Sequence, residues 1–148
     1  MTQKFKVLVT RKWPSPVEKV LKESFDTTLN EDDIPLSENE LIEAINSFDA
    51  ILPTVTDVIS DKVISSEGRR VKIIGNFGVG FNNIDIESAK KNRVVVTNTP
   101  EVLTDCTADI AMLLLLGVAR RGSEGEYHVR KSEWVGWRPT HMMGTKVT

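Results

Sequence analysis

Short β-branched runs alternate along this chain with stretches whose apolar residues return every three or four positions. Residues 5–10 form the first such run and predict a buried strand. Pro14 and Pro16 mark the turn after it, and Val17, Val20 and Leu21 then recur at helical spacing. Residues 26–29 predict a second strand, followed by an acidic loop. Ser37 opens a helix with a capping box, its hydroxyl meeting the amide of Glu40 while the Glu40 carboxylate reaches back. Leu41, Ile42 and Ile45 give that helix one apolar face. Ala50, Ile51 and Leu52 predict a third strand, stopped by Pro53. A short helix at 60–65, a strand at 71–74, a glycine-rich loop, a helix at 86–91 capped by Asp85 and a strand at 94–96 complete the series.

Strands that alternate with helices imply parallel pairing through right-handed crossovers, because each crossover must cover a face of the sheet. The expected fold is therefore α/β: a flavodoxin-like three-layer sandwich around a parallel sheet, as far as Thr97. After Pro100 the texture changes. Residues 105–121 predict a long helix, apolar nearly all round between Ile110 and Val118, and such a helix has to be buried on most sides. From Gly122 onward the chain is polar with isolated aromatics, Tyr127, Trp134 and Trp137, and predicts an extended arm.

Composition narrows the function classes. Of 148 residues 40% are hydrophobic and 27% charged, the balance of a soluble globular chain. A net charge of −2 offers no basic excess for nucleic acid or an anionic membrane. The lone Cys106 excludes an internal disulfide and fits a reducing compartment. Only Val7, Leu8 and Val9 follow the start, too few for a secretory core, and the apolar stretch 110–119 falls short of the about 20 residues a bilayer span needs. Cytoplasm is the expected location, and no metal site is expected.

Two segments can carry chemistry. Gly75 to Asp85 reads G-N-F-G-V-G-F-N-N-I-D and lies just after a buried strand, at the carboxyl edge where α/β sheets bind ligands. Gly78 and Gly80 permit positive φ and close approach, and consecutive amides in such a loop can converge on an anion. On glycine spacing alone, a tight strand-to-helix turn without a ligand is the plainer reading. A dinucleotide fingerprint is absent, because Gly78-Val79-Gly80 is followed by Phe81, Asn82 and Asn83 rather than by a third glycine. The second segment, Asn98 to Asp109, reads N-T-P-E-V-L-T-D-C-T-A-D. Pro100 biases Thr99 away from helix, and Thr104 can cap the long helix, either as a plain N-cap or beside phosphate or ribose oxygens.

These two segments at this separation resemble the D-isomer-specific 2-hydroxyacid dehydrogenases, above all the glyoxylate and hydroxypyruvate reductases. The likeness runs from Asn76 to Asp85, then Val95 to Pro100, then Val102, Leu103, Thr104, Thr107, Ala108 and Asp109, then Ala119-Arg120-Arg121, and ends in Trp134-Val135-Gly136-Trp137-Arg138-Pro139. The resemblance implies that the loop at Gly78, Val79 and Gly80 binds a substrate carboxylate, chiefly through the amides of Val79 and Gly80. It implies that Leu52 lines the substrate pocket and that Thr104 stands near the nicotinamide end of NAD(P)H. It further implies a closure hinge at Asn98-Thr99-Pro100 and a Trp137 that reaches a partner's active site. The reaction it implies is hydride transfer from NAD(P)H to the carbonyl of a small 2-keto acid.

The same resemblance divides the chain into a substrate-binding domain at 1–99, a linker helix at 100–121 and a dimerisation arm at 122–148. The family's catalytic arginine, glutamate and histidine, its nucleotide-binding domain and the segment that completes its substrate domain have no counterpart here. His128 and His141 match no catalytic position. The expectation is a fragment with no dehydrogenase activity and no bound cofactor, which pairs as a homodimer through the 110–118 helix and the arm. Two other classes compete. A signalling receiver needs an acidic pair after the first strand and a phosphoaccepting aspartate after the third, where this chain has Thr10-Arg11 and Pro53-Thr54. A non-enzymatic binding module on the same fold stays open, since some relatives of these dehydrogenases act as corepressors.

Overall fold

Five short strands run parallel in a single sheet: β1 (Lys6–Val9), β2 (Asp26–Leu29), β3 (Ala50–Leu52), β4 (Ile73–Gly75) and β5 (Val95–Thr97). This computed structural model describes residues 4–136, 138–139 and 143–147. The strands are ordered β2-β1-β3-β4-β5, the doubly wound order that alternation of strand and helix predicts. Four helices connect them: α1 (Ser15–Ser24), α2 (Glu38–Ser47), α3 (Asp61–Ile64) and α4 (Ile86–Lys91).

The register explains which face is filled. Leu8, Ile51, Ile74 and Val96 align across the sheet, and the first three pack with Leu41, Ala44 and Ile45 of α2, Val63 and Ile64 of α3 and Ala89 of α4. The neighbouring row, Val7, Ala50, Ile73 and Val95, points the other way because successive strand residues alternate. Among the described residues of the first unit, α1 stands on that side, and none of its residues is buried. Ile73 is 43% exposed and Val95 54%. An apolar groove of about 430 Å³ opens between α1 and the sheet, lined by Phe5, Val7, Leu21, Phe25, Leu52 and Ile73 among others. The expected three-layer sandwich is thus two complete layers and part of a third.

Local signals hold where a side chain closes them. The Ser37 capping box is present in both directions, and Asp85 caps α4 by accepting from the Ser88 amide at 2.8 Å. Three expectations shift. Val71 is buried but lies outside β4, its amide bound to the Ile45 carbonyl at the end of α2, and Val94 is tied to Ala89 of α4. Both apolar runs therefore include one residue that packs before the ladder begins. Pro16 sits inside the first turn of α1, where a missing N–H costs nothing, rather than in the preceding turn.

The chain divides into two compact units, Met1–Val102 and Leu103–Thr148. The second contains α5 (Thr104–Ala119) and α6 (Gly122–Arg130), which pack on each other across Arg121 in the left-handed region at φ 55°. The Thr145 amide returns to the Ala119 carbonyl at 2.8 Å. Thr104 is not the cap of α5: the N-cap is Leu103, no side chain bonds there, and Thr104 is already helical. Residues 122–130, expected as extended arm, are helical. No residue of α5 is buried, including Leu113 and Leu114. Among the described residues no helix is long and apolar enough to cross a membrane.

Candidate functional site

At the carboxyl edge of the sheet, the chain leaving β4 is stitched to both neighbours. The Asn76 amide donates to the Thr97 carbonyl at 2.8 Å and the Phe77 amide to that of Pro53 at 2.8 Å. Seven residues on, Ile59 donates to the Asn83 carbonyl at 2.8 Å and Asp85 to that of Ile59 at 2.9 Å. The intervening loop is held at both ends, and its own polar backbone must be accounted for group by group.

The three carbonyls at the centre of the loop are taken. That of Gly78 accepts from the Thr99 amide at 3.0 Å, that of Val79 from Asn98 Nδ2 at 2.8 Å and that of Gly80 from Asn76 Nδ2 at 2.8 Å. The Gly78 amide donates to the Asn76 carbonyl at 3.0 Å. The amides of Val79, Gly80 and Phe81 have no acceptor among the described residues, and all three residues are exposed. Three consecutive donors beside the satisfied carbonyls of Gly78, Val79 and Gly80 form a surface with anion-binding character.

The glycines act differently from the expectation. Neither Gly78 nor Gly80 has a positive φ, so the loop bends without left-handed residues. Gly78 is required by space: a Cβ there would stand 2.4 Å from Val55 Cγ1. At Gly80 a Cβ would meet nothing within 4 Å. Gly75 is a second close approach, with Leu52 Cδ2 at 2.7 Å from a would-be Cβ.

Beneath the loop lies a polar network that the sequence pattern does not assemble. Asn83 Nδ2 donates to the carbonyls of Thr54 and Asp57, each at 3.1 Å, and to Asn76 Oδ1 at 3.1 Å. Asp57 is buried, and its Oδ2 accepts from Thr10 Oγ1 at 2.7 Å and the Thr54 amide at 2.8 Å, while Oδ1 has no partner among the described residues. The only signal in the sequence is a cluster of side-chain amides and hydroxyls at strand exits, which reads equally well as loop. Arg11, at the exit of β1, is engaged by Asp33 at 2.9 Å and Thr56 at 2.9 Å; the Asp33 hydrogen bond chiefly holds its guanidinium above its ordinary pKa.

Leu52 lines a cavity of about 350 Å³ with Trp13, Asn76, Phe77, Asn98 and Thr99. The rings of Trp13 and Phe77 are 4.9 Å apart. Leu52 and the root of the loop therefore share one cavity, whereas Gly78, Val79 and Gly80 are not in its lining. Thr104 belongs to the other compact unit, exposed in the first turn of α5, and Trp137 lies outside the described residues. At the N-terminus of α4 the Asp85 carboxylate accepts from the Ser88 amide, so that helix end is already occupied by an anionic group. Among the described residues no cluster of acidic, histidine or cysteine side chains is built to hold a metal.

The family model for the D-isomer specific 2-hydroxyacid dehydrogenase catalytic domain matches residues 7–145. A glyoxylate reductase of Thermococcus onnurineus (strain NA1) is 42% identical over 146 residues, covering 96% of this chain and 43% of that protein. A glycerate dehydrogenase of Hyphomicrobium methylovorum is 38% identical, covering 97% and 45%. The solved TT0316 protein from Thermus thermophilus superposes with a TM-score of 0.83 at 34% identity, covering 95% of this chain and 45% of its own. The chain thus spans less than half the length of the curated relatives named here. With its parallel sheet and the loop at Val79 in the matched region, the chain belongs to the D-isomer specific 2-hydroxyacid dehydrogenase family.

Proposed function

We propose that this chain is the substrate-binding part of an NAD(P)H-dependent D-2-hydroxyacid dehydrogenase that reduces a small 2-keto acid of the glyoxylate or hydroxypyruvate type. The observation that carries the reading is the pair of amides at Val79 and Gly80, which have no acceptor among the described residues, at the carboxyl edge of the sheet. A carboxylate held there gains about 1.5–3 kcal/mol from each charge-assisted hydrogen bond. Fixing the carboxylate orients the adjoining carbonyl, which lowers the barrier through positioning rather than acid–base chemistry. Leu52 forms the apolar wall beside it. The nicotinamide cofactor supplies the hydride when bound, and Thr104 is the residue assigned to its vicinity.

Within residues 1–148, 1–99 form the substrate domain, 100–121 the linker and 122–148 the arm, and an assay of these residues alone is expected to show no oxidation of NAD(P)H with glyoxylate. The chain pairs as a homodimer through the 110–118 helix and the arm. The exposed apolar residues of α5 support that pairing, since a helix of this composition is stable in water only when covered. Titrating glyoxylate or oxalate into the 15N-labelled chain tests the site: the amide resonances of Val79 and Gly80 move, and their standing still would overturn it. Size-exclusion with light scattering gives twice the chain mass of 16.5 kDa; a monomer would defeat the dimer.

A further inference from the structure

The donors that hold the loop also determine where its free amides point. Each planar trans peptide sets the carbonyl of one residue antiparallel to the N–H of the next, and the described chain has no cis peptide. Anchoring the Gly78 carbonyl on the Thr99 amide therefore turns the Val79 N–H the opposite way. Anchoring the Val79 carbonyl on Asn98 Nδ2 does the same for Gly80, and the Asn76 amide on the Gly80 carbonyl does so for Phe81. Two of these anchors sit on the backbone or on a buried side chain. The third is the side chain of Asn98, only partly buried, on the segment that leaves β5 for the boundary between the two units at Val102.

We infer that Asn98 is a positioning residue for the carboxylate site: its hydrogen bond to the Val79 carbonyl aims the Gly80 N–H, and Phe81 supplies a third donor to the same anion. This rests on the carboxylate reading of the loop. The Nδ2 group of Asn98 is engaged by the Val79 carbonyl at 2.8 Å. Its effect passes through one peptide plane, and it comes from the connecting segment, so the loop's donor geometry answers to that segment's conformation. Without the anchor, the Val79–Gly80 peptide is free to rotate, and one of the hydrogen bonds to the carboxylate is lost.

The test uses the 15N-labelled chain, oxalate as probe, and two uncharged variants without a donor, Asn98→Ala and the near-isosteric Asn98→Leu. Both are expected to weaken oxalate binding about tenfold or more, the equivalent of one charge-assisted hydrogen bond. The ligand-induced shift should fall most at Gly80 and least at Val79, which keeps its Thr99 anchor. Without ligand, the Gly80 amide should already change its chemical shift and exchange rate, with the melting temperature unaltered. Unchanged affinity and an unchanged Gly80 resonance in both variants would overturn the inference. So would a loss spread evenly over Val79 and Gly80 with a lowered melting temperature, which marks a merely structural residue. If the native chain binds no oxalate, the carboxylate reading falls, and the ligand-free Gly80 resonance still decides whether Asn98 aims that amide.

Discussion

Gly78 and Gly80 are separated by one residue and do different work. A methyl group at Gly78 would run into Val55 at 2.4 Å, so Gly78→Ala must displace either the loop or the segment after β3. Thermal unfolding should show a loss of about 1–3 kcal/mol, the usual range for overpacking. Gly80→Ala meets open space at a residue without positive φ and should stay within about 0.5 kcal/mol of the parent. Equal losses in the two variants would contradict the spatial role of Gly78. At the opposite edge of the sheet, Asp49 accepts from Arg70 Nε at 2.8 Å and from the Lys6 amide at 2.8 Å. The Arg70 hydrogen bond is the largest cause holding its carboxyl below the ordinary value of 3.8. A depressed folded pKa contributes stability above the unfolded value and loses it as pH falls through the folded one. Denaturation measured from neutral pH down past 3.8 should therefore decline less steeply for Arg70→Met than for the parent, and parallel curves would remove Asp49 from the acid response. The G-x-G spacing is legible in the sequence, but which glycine is needed for space is not, because Val55 lies 23 positions earlier in the chain.

Strand β4 shows what periodicity can and cannot say. Ile73 and Ile74 are adjacent apolar residues in the segment Val71-Lys72-Ile73-Ile74, and their identity does not tell which of them faces the filled side of the sheet. In the folded chain Ile74 is 0% exposed within the α2–α3–α4 core and Ile73 is 43% exposed on the other side. Ile74→Ala should cost roughly 2–5 kcal/mol in chemical denaturation and Ile73→Ala about 1 kcal/mol or less. Comparable costs would mean that the second face is covered after all. Helix α6 escapes the sequence pattern for a local reason: Gly122 and Gly125 each lower helix propensity by about 1 kcal/mol relative to alanine. The helix forms because Arg121 pairs with Glu124, Arg130 pairs with Glu126 and α5 packs alongside. Helix α2, by contrast, is readable from its capping box, since that signal lies within four residues.

At the scale of the whole molecule, apolar surface is left open in both units: the row of Ile73 and Val95 with its groove against α1, and the length of α5. Contiguous exposed apolar patches of this kind bind hydrophobic probes. The chain should enhance the fluorescence of an anilinonaphthalene dye while keeping a cooperative unfolding transition, and Val95→Lys should lower the dye signal without lowering the melting temperature. No dye binding by the native chain would mean that both surfaces are covered in solution. The sequence by itself determined the order of strands and helices as far as α5, the parallel sheet, the caps at Ser37 and Asp85 and the loop at Val79, because each is written in contacts between near neighbours or in a repeating period. Only the tertiary structure decided which face of the sheet is filled, which glycine is forced and which side chains hold the carbonyls of the loop. Those depend on Val55, Asn98, Thr99 and α1 meeting across long separations in the chain, where no local pattern records the encounter.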